Sequence, residues 1–301
     1  MSKWPDIVGG TKVLNDGAEI PMIGLGSNKI VDQALLNDFI QSALEIGYRL
    51  FDTAEQYVNE KELGCALKTV LPKVKLKRED IFITTKVRIE DGNAANWAEQ
   101  SVMNSMRRFN TTYLDLVLIH YPRDRKAGSD DAYETNKKSR KEAWKKLEQL
   151  KEQGLIKSIG VSNFEVYHLV ELLEYAKYFP AVNQIEIHPY LTRRTLVKFC
   201  EIKGIFVQAF SSLARGNQEI LKEAAVQEPA NRFGVSPQTI LYAYGVCSGI
   251  GIIPNSANAE MLHNNLIKVA GISLTKKELA SFRELDRNTA LCPRCYPWRC
   301  L

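Results

Sequence analysis

The chain has 301 residues, of which 45% are hydrophobic, enough to bury a large core in either two domains or one α/β barrel. Its 40 basic and 35 acidic residues are interspersed, and the net charge of +5 mildly favours anionic small ligands while excluding a concentrated nucleic-acid patch. No apolar run approaches the roughly 20 residues of a membrane helix, and Met1-Ser2-Lys3-Trp4-Pro5-Asp6 lacks the apolar core of a signal peptide, so a cytoplasmic protein is expected.

Lys12 to Ile20 reads as a β-hairpin turning at Asp16-Gly17, since Asp-Gly supplies the positive φ of a tight turn. Met22-Ile23-Gly24-Leu25-Gly26 is a first buried strand. A helix follows from Asp32, with Ala34, Leu35, Phe39, Ala43 and Ile46 on one face and Gly47 as its stop. Tyr48-Arg49-Leu50-Phe51-Asp52 is an apolar strand ending in an acid, and a helical pattern then runs from Tyr57 to Leu71 and stops at Pro72. Ile81 to Lys86 is a strand, followed by a helix around Trp97 to Phe109. Leu114 to Ile119 leads into His120-Tyr121-Pro122, and Arg123 to Lys138 is polar and aperiodic, which predicts a mobile loop. The next helix buries Ala143, Leu147 and Leu150 and stops at Gly154.

Strand Ile156 to Val161 precedes a helix whose apolar face is Val166, Leu169, Val170 and Leu173. Ala181 to Ile185, Gly204 to Phe210 and Ile250 to Ile253 complete the strands. Ser236 caps a helix with Pro237 at its first position, and Thr275-Lys276-Lys277-Glu278 is a capping box. Eight short apolar strands, each trailed by a helix, call for a parallel sheet closed on itself: a (β/α)8 TIM barrel in one domain spanning residues 1–301, with an N-terminal β-hairpin. Cys65, Cys200 and Cys247 fall in helical patterns and are expected as buried thiols. Cys292, Cys295 and Cys300 crowd the C-terminus with no His nearby to complete a zinc site, so no metal is expected.

In such a barrel the strands deliver Asp52, Lys86 and His120 to one rim, with Tyr57 just beyond the first. A carbonyl accepting hydride builds charge on its oxygen, so it needs a proton donor and a polariser. Tyr57 is a weak acid; a Lys86 cation beside it favours phenolate, and Asp52 keeps that cation charged. Taken singly, Asp52–Lys86 reads as a structural ion pair and His120 as a core histidine. Their convergence makes catalysis the better account.

From about Lys12 to about Asp286 the chain resembles the aldo-keto reductase family. Asp52, Tyr57, Lys86 and His120 match that family's catalytic tetrad, in Phe-Asp-Thr-Ala-Glu-Gln-Tyr, Thr-Thr-Lys-Val and Leu-Ile-His-Tyr-Pro. Gly154 to Phe164 is a second signature, in which the resemblance implies that Ser162 and Asn163 hold the nicotinamide carboxamide. Gln184, in Asn-Gln-Ile-Glu, is implied as a further contact. Phe210 stands where the family usually stacks a Tyr on the nicotinamide, and Ser211 and Leu213 match the loop over the pyrophosphate. No Gly-x-Gly-x-x-Gly turn suggests the other dinucleotide fold.

The departures carry expectations of their own. At the family's last fingerprint this chain has Ile253-Pro254-Asn255-Ser256, then Met261 and Asn264-Asn265. Asn255 and Met261 replace the Lys and Arg that clamp the 2′-phosphate of NADPH, so the family's preference for NADPH is expected to weaken and NADH to become usable, with Arg215, Lys222 and His263 as possible substitutes. Asn255, Ser256 and Asn265 remain as cofactor contacts. Asn28, Arg88 and Tyr121 occupy positions where family pockets often carry Trp, so a more polar pocket is expected. The segment from Asn288, with Tyr296 and Trp298, falls where the family has a variable lid loop, and Trp298 either rebuilds an aromatic wall or packs on the barrel. The expected protein is a monomeric NAD(P)(H)-dependent reductase of small aldehydes or ketones, with no nucleic-acid or membrane partner. The competing expectation is a cofactor-binding regulatory or structural barrel with little turnover.

Overall fold

The computed structural model describes residues 2–27, 33–90, 93–124, 132–256 and 258–292, with the backbone alone at 33–35. Strand β1 (Thr11–Val13) pairs antiparallel with β2 (Glu19–Pro21), and Gly17 at the turn has φ +85°. The chain then alternates: β3 (Leu25–Gly26), α1 (Gln33–Ile46), β4 (Leu50–Asp52), α2 (Glu60–Val70), β5 (Phe82–Ile89), α3 (Ala94–Phe109), β6 (Leu114–Asp124) and α4 (Tyr133–Glu152). It continues through β7 (Ile156–Ser162), α5 (Val166–Tyr175), β8 (Val182–Glu186), α6 (Arg194–Ile202) and β9 (Phe206–Phe210). Helices α7 (Gln218–Lys222), α8 (Ala224–Phe233) and α9 (Pro237–Cys247) precede β10 (Gly251–Ile252). Helix α10 (Ala259–His263) runs on through a π-turn over Asn264–Lys268, and α11 (Lys276–Glu284) follows.

Strands β3 to β10 form one parallel sheet of eight in sequence order. Its two ends meet through Gly24 N–H to Ile252 O at 2.8 Å and Gly26 N–H to Pro254 O at 2.9 Å, with bridges Ile23–Ile252 and Gly26–Asn255. The sheet therefore closes into a (β/α)8 barrel, and closure leaves no strand edge exposed. Strands β4 and β8 are buried at every residue, as a sheet covered on both faces requires. Helix ends follow local chemistry. Gly47 ends α1 at φ +118°, Ser236 caps α9 ahead of Pro237, and Thr275 with Glu278 forms a capping box on α11. Gly64 lets α2 lie against α3, since a Cβ there would meet Arg108 O at 2.4 Å.

The hairpin region covers the N-terminal ends of the strands, where Asn15 donates to Pro180 O and Trp4 Nε1 to Asp80 O. That leaves the C-terminal rim for chemistry. Four expectations are corrected. Tyr57 ends a short 3-10 turn (Glu55–Tyr57), and Val58 at φ +57° separates it from α2. Arg123 and Asp124 belong to β6 and α4 begins at Tyr133, so the polar loop is shorter than expected; residues 125–131 lie outside the described set. Cys65 is exposed and Cys247 half-buried, since α2 buries Leu63, Gly64, Ala66 and Leu67; only Cys200 is buried as expected. Val170 is exposed, because α5 turns His168, Leu169, Glu171 and Leu172 inward. Among the described residues no helix is long and apolar enough to cross a membrane.

Candidate active site

The rim assembles the four expected groups. Asp52 ends β4 and Lys86 lies on β5; both are 1% exposed, and Lys86 Nζ donates to Asp52 Oδ1 at 2.5 Å and to Thr53 O at 2.8 Å. Lys86 Nζ also sits 5.0 Å from the Tyr57 ring centroid. The Tyr57 and His120 rings meet edge to face, with centroids 5.8 Å apart. Burial works to lower the Lys86 pKa, but the charge of Asp52, with Tyr57 and the hydrogen bonds, outweighs it and holds the ammonium above the ordinary lysine value. Burial pushes the Asp52 carboxyl up, and Lys86 and Gln184 offset that only in part. His120 is pushed down to about 3, first by desolvation and then by the Lys86 and Arg88 charges, so its imidazole is neutral at physiological pH.

The groups expected to hold a carboxamide adjoin this constellation. Ser162 ends β7 and donates to Gln184 O at 2.8 Å. Asn163, left-handed at φ +62°, turns its Nδ2 onto His120 O at 3.0 Å and Ser162 Oγ at 3.1 Å. Gln184 spends both amide hydrogens inside the barrel, on Asp52 Oδ2 at 2.7 Å and Gln208 Oε1 at 2.8 Å. The side-chain oxygens of Gln184 and Asn163 keep no partner among the described residues. Two free acceptors suit the NH2 of a carboxamide, which offers two hydrogens. These residues thus fit a nicotinamide.

Phe210 ends β9 half-buried, and Ser211 and Leu213 lead into a loop where Ser211, Ala214, Arg215 and Gly216 all have positive φ. Ser256 is buried and accepts from Asn265 Nδ2 at 2.9 Å, which ties the segment following β10 to the π-turn. Asn255 and Met261 are exposed, and Asn258 caps the start of α10 by accepting from the Met261 amide at 2.9 Å. Of the possible substitutes, Lys222 is paired with Glu219 at 2.8 Å, while Arg215 and His263 are exposed. Arg88 and Tyr121 stand half-buried at the rim, whereas Asn28 and Trp298 lie outside the described residues.

Sequence reasoning missed the supports beneath these groups. Asn59, 1% exposed, donates to Ser27 O at 2.6 Å and accepts from Thr53 Oγ1 at 2.7 Å, fixing the turn between Asp52 and Tyr57. Glu60 accepts from Thr85, Ser105 and Arg108 at 2.5, 2.8 and 2.7 Å, holding β5 next to Lys86. Glu186, at the end of β8, takes the Leu291 and Cys292 amides at 2.9 and 3.0 Å and so anchors the root of the C-terminal segment. Their signal was present in Tyr-Val-Asn-Glu and Asn-Gln-Ile-Glu: acids and amides placed beside the catalytic candidates.

The Aldo/keto reductase family model matches residues 22–287. Aldose reductase B of Dictyostelium discoideum is 34% identical over 297 residues, covering 93% of this chain and 94% of that one. Methylglyoxal reductase DkgA of Escherichia coli O157:H7 is 34% identical over 280 residues, with 93% and 94% covered. NADH-dependent D-xylose reductase of Candida parapsilosis is 33% identical over 300 residues, with 91% and 92% covered. The apo crystal structure of Gox0644 superposes with a TM-score of 0.80 at 30% identity, covering 93% of this chain and 95% of its own. With a family match across nearly the whole barrel and relatives of this similarity, the chain belongs to the aldo/keto reductase family, whose members use NAD(P)H, and is an oxidoreductase that reduces carbonyl compounds.

Proposed function

We propose that Tyr57 protonates the carbonyl oxygen of a small aldehyde or ketone while Lys86, Asp52 and His120 prepare it to do so. The observation that carries this reading is the buried Asp52–Lys86 ion pair set against the half-buried Tyr57 ring, beside a neutral His120. Ser162, Asn163 and Gln184 would hold a nicotinamide, with Phe210 against its ring, and the cofactor would supply the hydride. The alkoxide that results takes the Tyr57 hydroxyl proton, and the Lys86 cation stabilises the phenolate left behind. Asp52 holds Lys86 protonated and in place. His120 is too weak a base to be the proton donor. Its buried Nδ1 has no hydrogen-bond partner among the described residues, so an N–H there would cost about 1–3 kcal/mol. The hydrogen therefore belongs on Nε2, from which it polarises the carbonyl.

The cofactor reading follows from Asn255 and Met261. Neither is a cation, and Lys222 is engaged by Glu219, so the 2′-phosphate has lost its usual clamp and NADPH is preferred over NADH only slightly. The similarity to a reductase named as NADH-dependent supports this. Fluorescence titration with NADPH and NADH, followed by turnover of a panel of aldehydes, tests both points. Tyr57→Phe should lose about 10²- to 10⁴-fold in turnover, the usual contribution of a general acid, with cofactor binding changed only a few-fold. Wild-type turnover in that variant would show that the proton comes from elsewhere.

A further inference from the structure

We propose that Arg88 makes this site selective for carbonyl substrates that carry a carboxylate. The proposal rests on the reductase reading above and names its substrate class. Lys86 and Arg88 share one face of β5, since side chains alternate along a strand, and lie about 6–7 Å apart along it. Arg88 is thus one step further toward the open end of the barrel than the reacting centre. Opposite it, the pairing with β6 jumps from Val87–Ile119 to Ile89–Asp124, so that His120, Tyr121, Pro122 and Arg123 bulge past position 88. Arg88 is close enough to His120 for its charge to help keep that imidazole neutral.

The state of the guanidinium is what points to a ligand. The Arg88 Nε is buried with no hydrogen-bond partner among the described residues, and none of them forms an ion pair with the group. Three other arginines, by contrast, meet acids: Arg78 meets Asp115, Arg108 meets Glu60 and Arg140 meets Glu171, each at 2.7 Å. Glu90 and Asp124, described acids further along the two strands, interact with groups other than Arg88. With Arg88 half-buried and its Nε shielded, the terminal nitrogens remain as two adjacent N–H donors. A planar guanidinium grips a carboxylate through two parallel hydrogen bonds. A substrate held there by its acid, with its carbonyl one strand step deeper, is oriented for reaction. A neutral substrate leaves the half-desolvated cation unmatched and gains nothing from it.

The test compares 4-formylbenzoate with its neutral isostere 4-formylbenzamide. Wild-type enzyme should favour the acid in kcat/KM by roughly 10- to 100-fold, the size expected of one bidentate charge-assisted contact. Arg88→Leu should bring the ratio near one, and Arg88→Lys, which keeps the charge and loses the fork, should retain part of it. The second measurement needs no turnover: calorimetric binding of the product acid, 4-(hydroxymethyl)benzoate, should be at least 10-fold tighter to wild type than to Arg88→Leu, by the same reasoning. A wild-type ratio near one, or a ratio that survives Arg88→Leu, overturns the proposal. If neither aldehyde turns over, the reductase mechanism fails, and the binding measurement still decides the role of Arg88. Arg88→Gln serves where the leucine variant does not fold.

Discussion

Replacing Asp52 by Asn tests the electrostatic foundation of the site. Asp52 has two jobs, one per oxygen: Oδ1 takes the Lys86 ammonium at 2.5 Å and Oδ2 takes the Gln184 amide at 2.7 Å. Asn has one side-chain oxygen and turns an NH2 toward whichever donor is left, so one bond is lost and two donors oppose each other. Because Lys86 is 1% exposed, its charge is then buried and poorly compensated, which costs about 3–5 kcal/mol. With an unfolding entropy of about 2.1 cal/mol/K per residue, a chain this long loses roughly 0.6 kcal/mol per degree near its midpoint, so Tm should fall by about 5–8 °C. Scanning calorimetry measures this directly. The companion variant, Asp52→Asn with Lys86→Met, removes the orphaned charge and should recover a good part of the loss, though activity stays absent. A single Asn variant that melts within about 1 °C of wild type, or a double variant whose losses simply add, would show that the pair is not the buried, mutually dependent unit described here.

Two further outcomes follow from the rim. Asn255→Lys combined with Met261→Arg should raise NADPH preference over NADH, and the gain should shrink with salt because exposed charges are screened beyond roughly 8–10 Å; a wild type already binding NADPH hundreds of times tighter would point to Arg215 instead. Val58 is 79% exposed at φ +57°, where a β-branched residue pays about 1–2 kcal/mol. Val58→Gly should therefore leave stability unchanged or raise it by up to about 1 kcal/mol, after the entropic cost of glycine in the unfolded chain, and a clear fall in Tm would mean that the Val58 side chain has contacts worth more than the strain.

How much of this was legible in the sequence depends on which forces set each element. The strands were legible because a doubly covered strand must be apolar throughout, and Asp52 because β4 stops there, whereas β5 and β6 run on past Lys86 and His120 to Ile89 and Asp124. The caps at Ser236 and Thr275 were legible because their chemistry is local. What escaped was set from a distance. Strand β6 continues past Pro122 because Arg140 donates to Pro122 O at 3.1 Å and Asn136 accepts the Asp124 amide at 3.0 Å, and no pattern within residues 120–124 reveals those partners. Helix α5 buries polar His168 and Glu171 in place of Val170 because Arg140 grips Glu171 through two hydrogen bonds of 2.9 and 2.7 Å. Hydrophobic periodicity reads such a face backwards. The break at Val58 is a single left-handed residue, which leaves the helical spacing on both sides intact and so was invisible to it.

The same long-range bonds explain why the proton-handling and carboxamide-holding groups should be regarded as one unit. Gln184 reaches from β8 across the barrel to Asp52 on β4, and Asn163 reaches from the end of β7 to the backbone of His120 on β6. Gln184 and Asn163, proposed to touch the nicotinamide, are therefore also hydrogen-bond partners of residues proposed to serve the carbonyl. A ligand that moves the Gln184 amide changes what Asp52 accepts, and through Asp52 it changes how firmly Lys86 is held under Tyr57. This coupling needs no moving domain, because the path runs through two side chains fixed on buried strands. The supports beneath the rim have a distinct part in it. Asn59 and Glu60 are tied up beneath the rim, where they fix the turn and the strand between which Tyr57 and Lys86 meet. Precision of that kind comes from a closed sheet, in which no strand can shift without its neighbours on both sides.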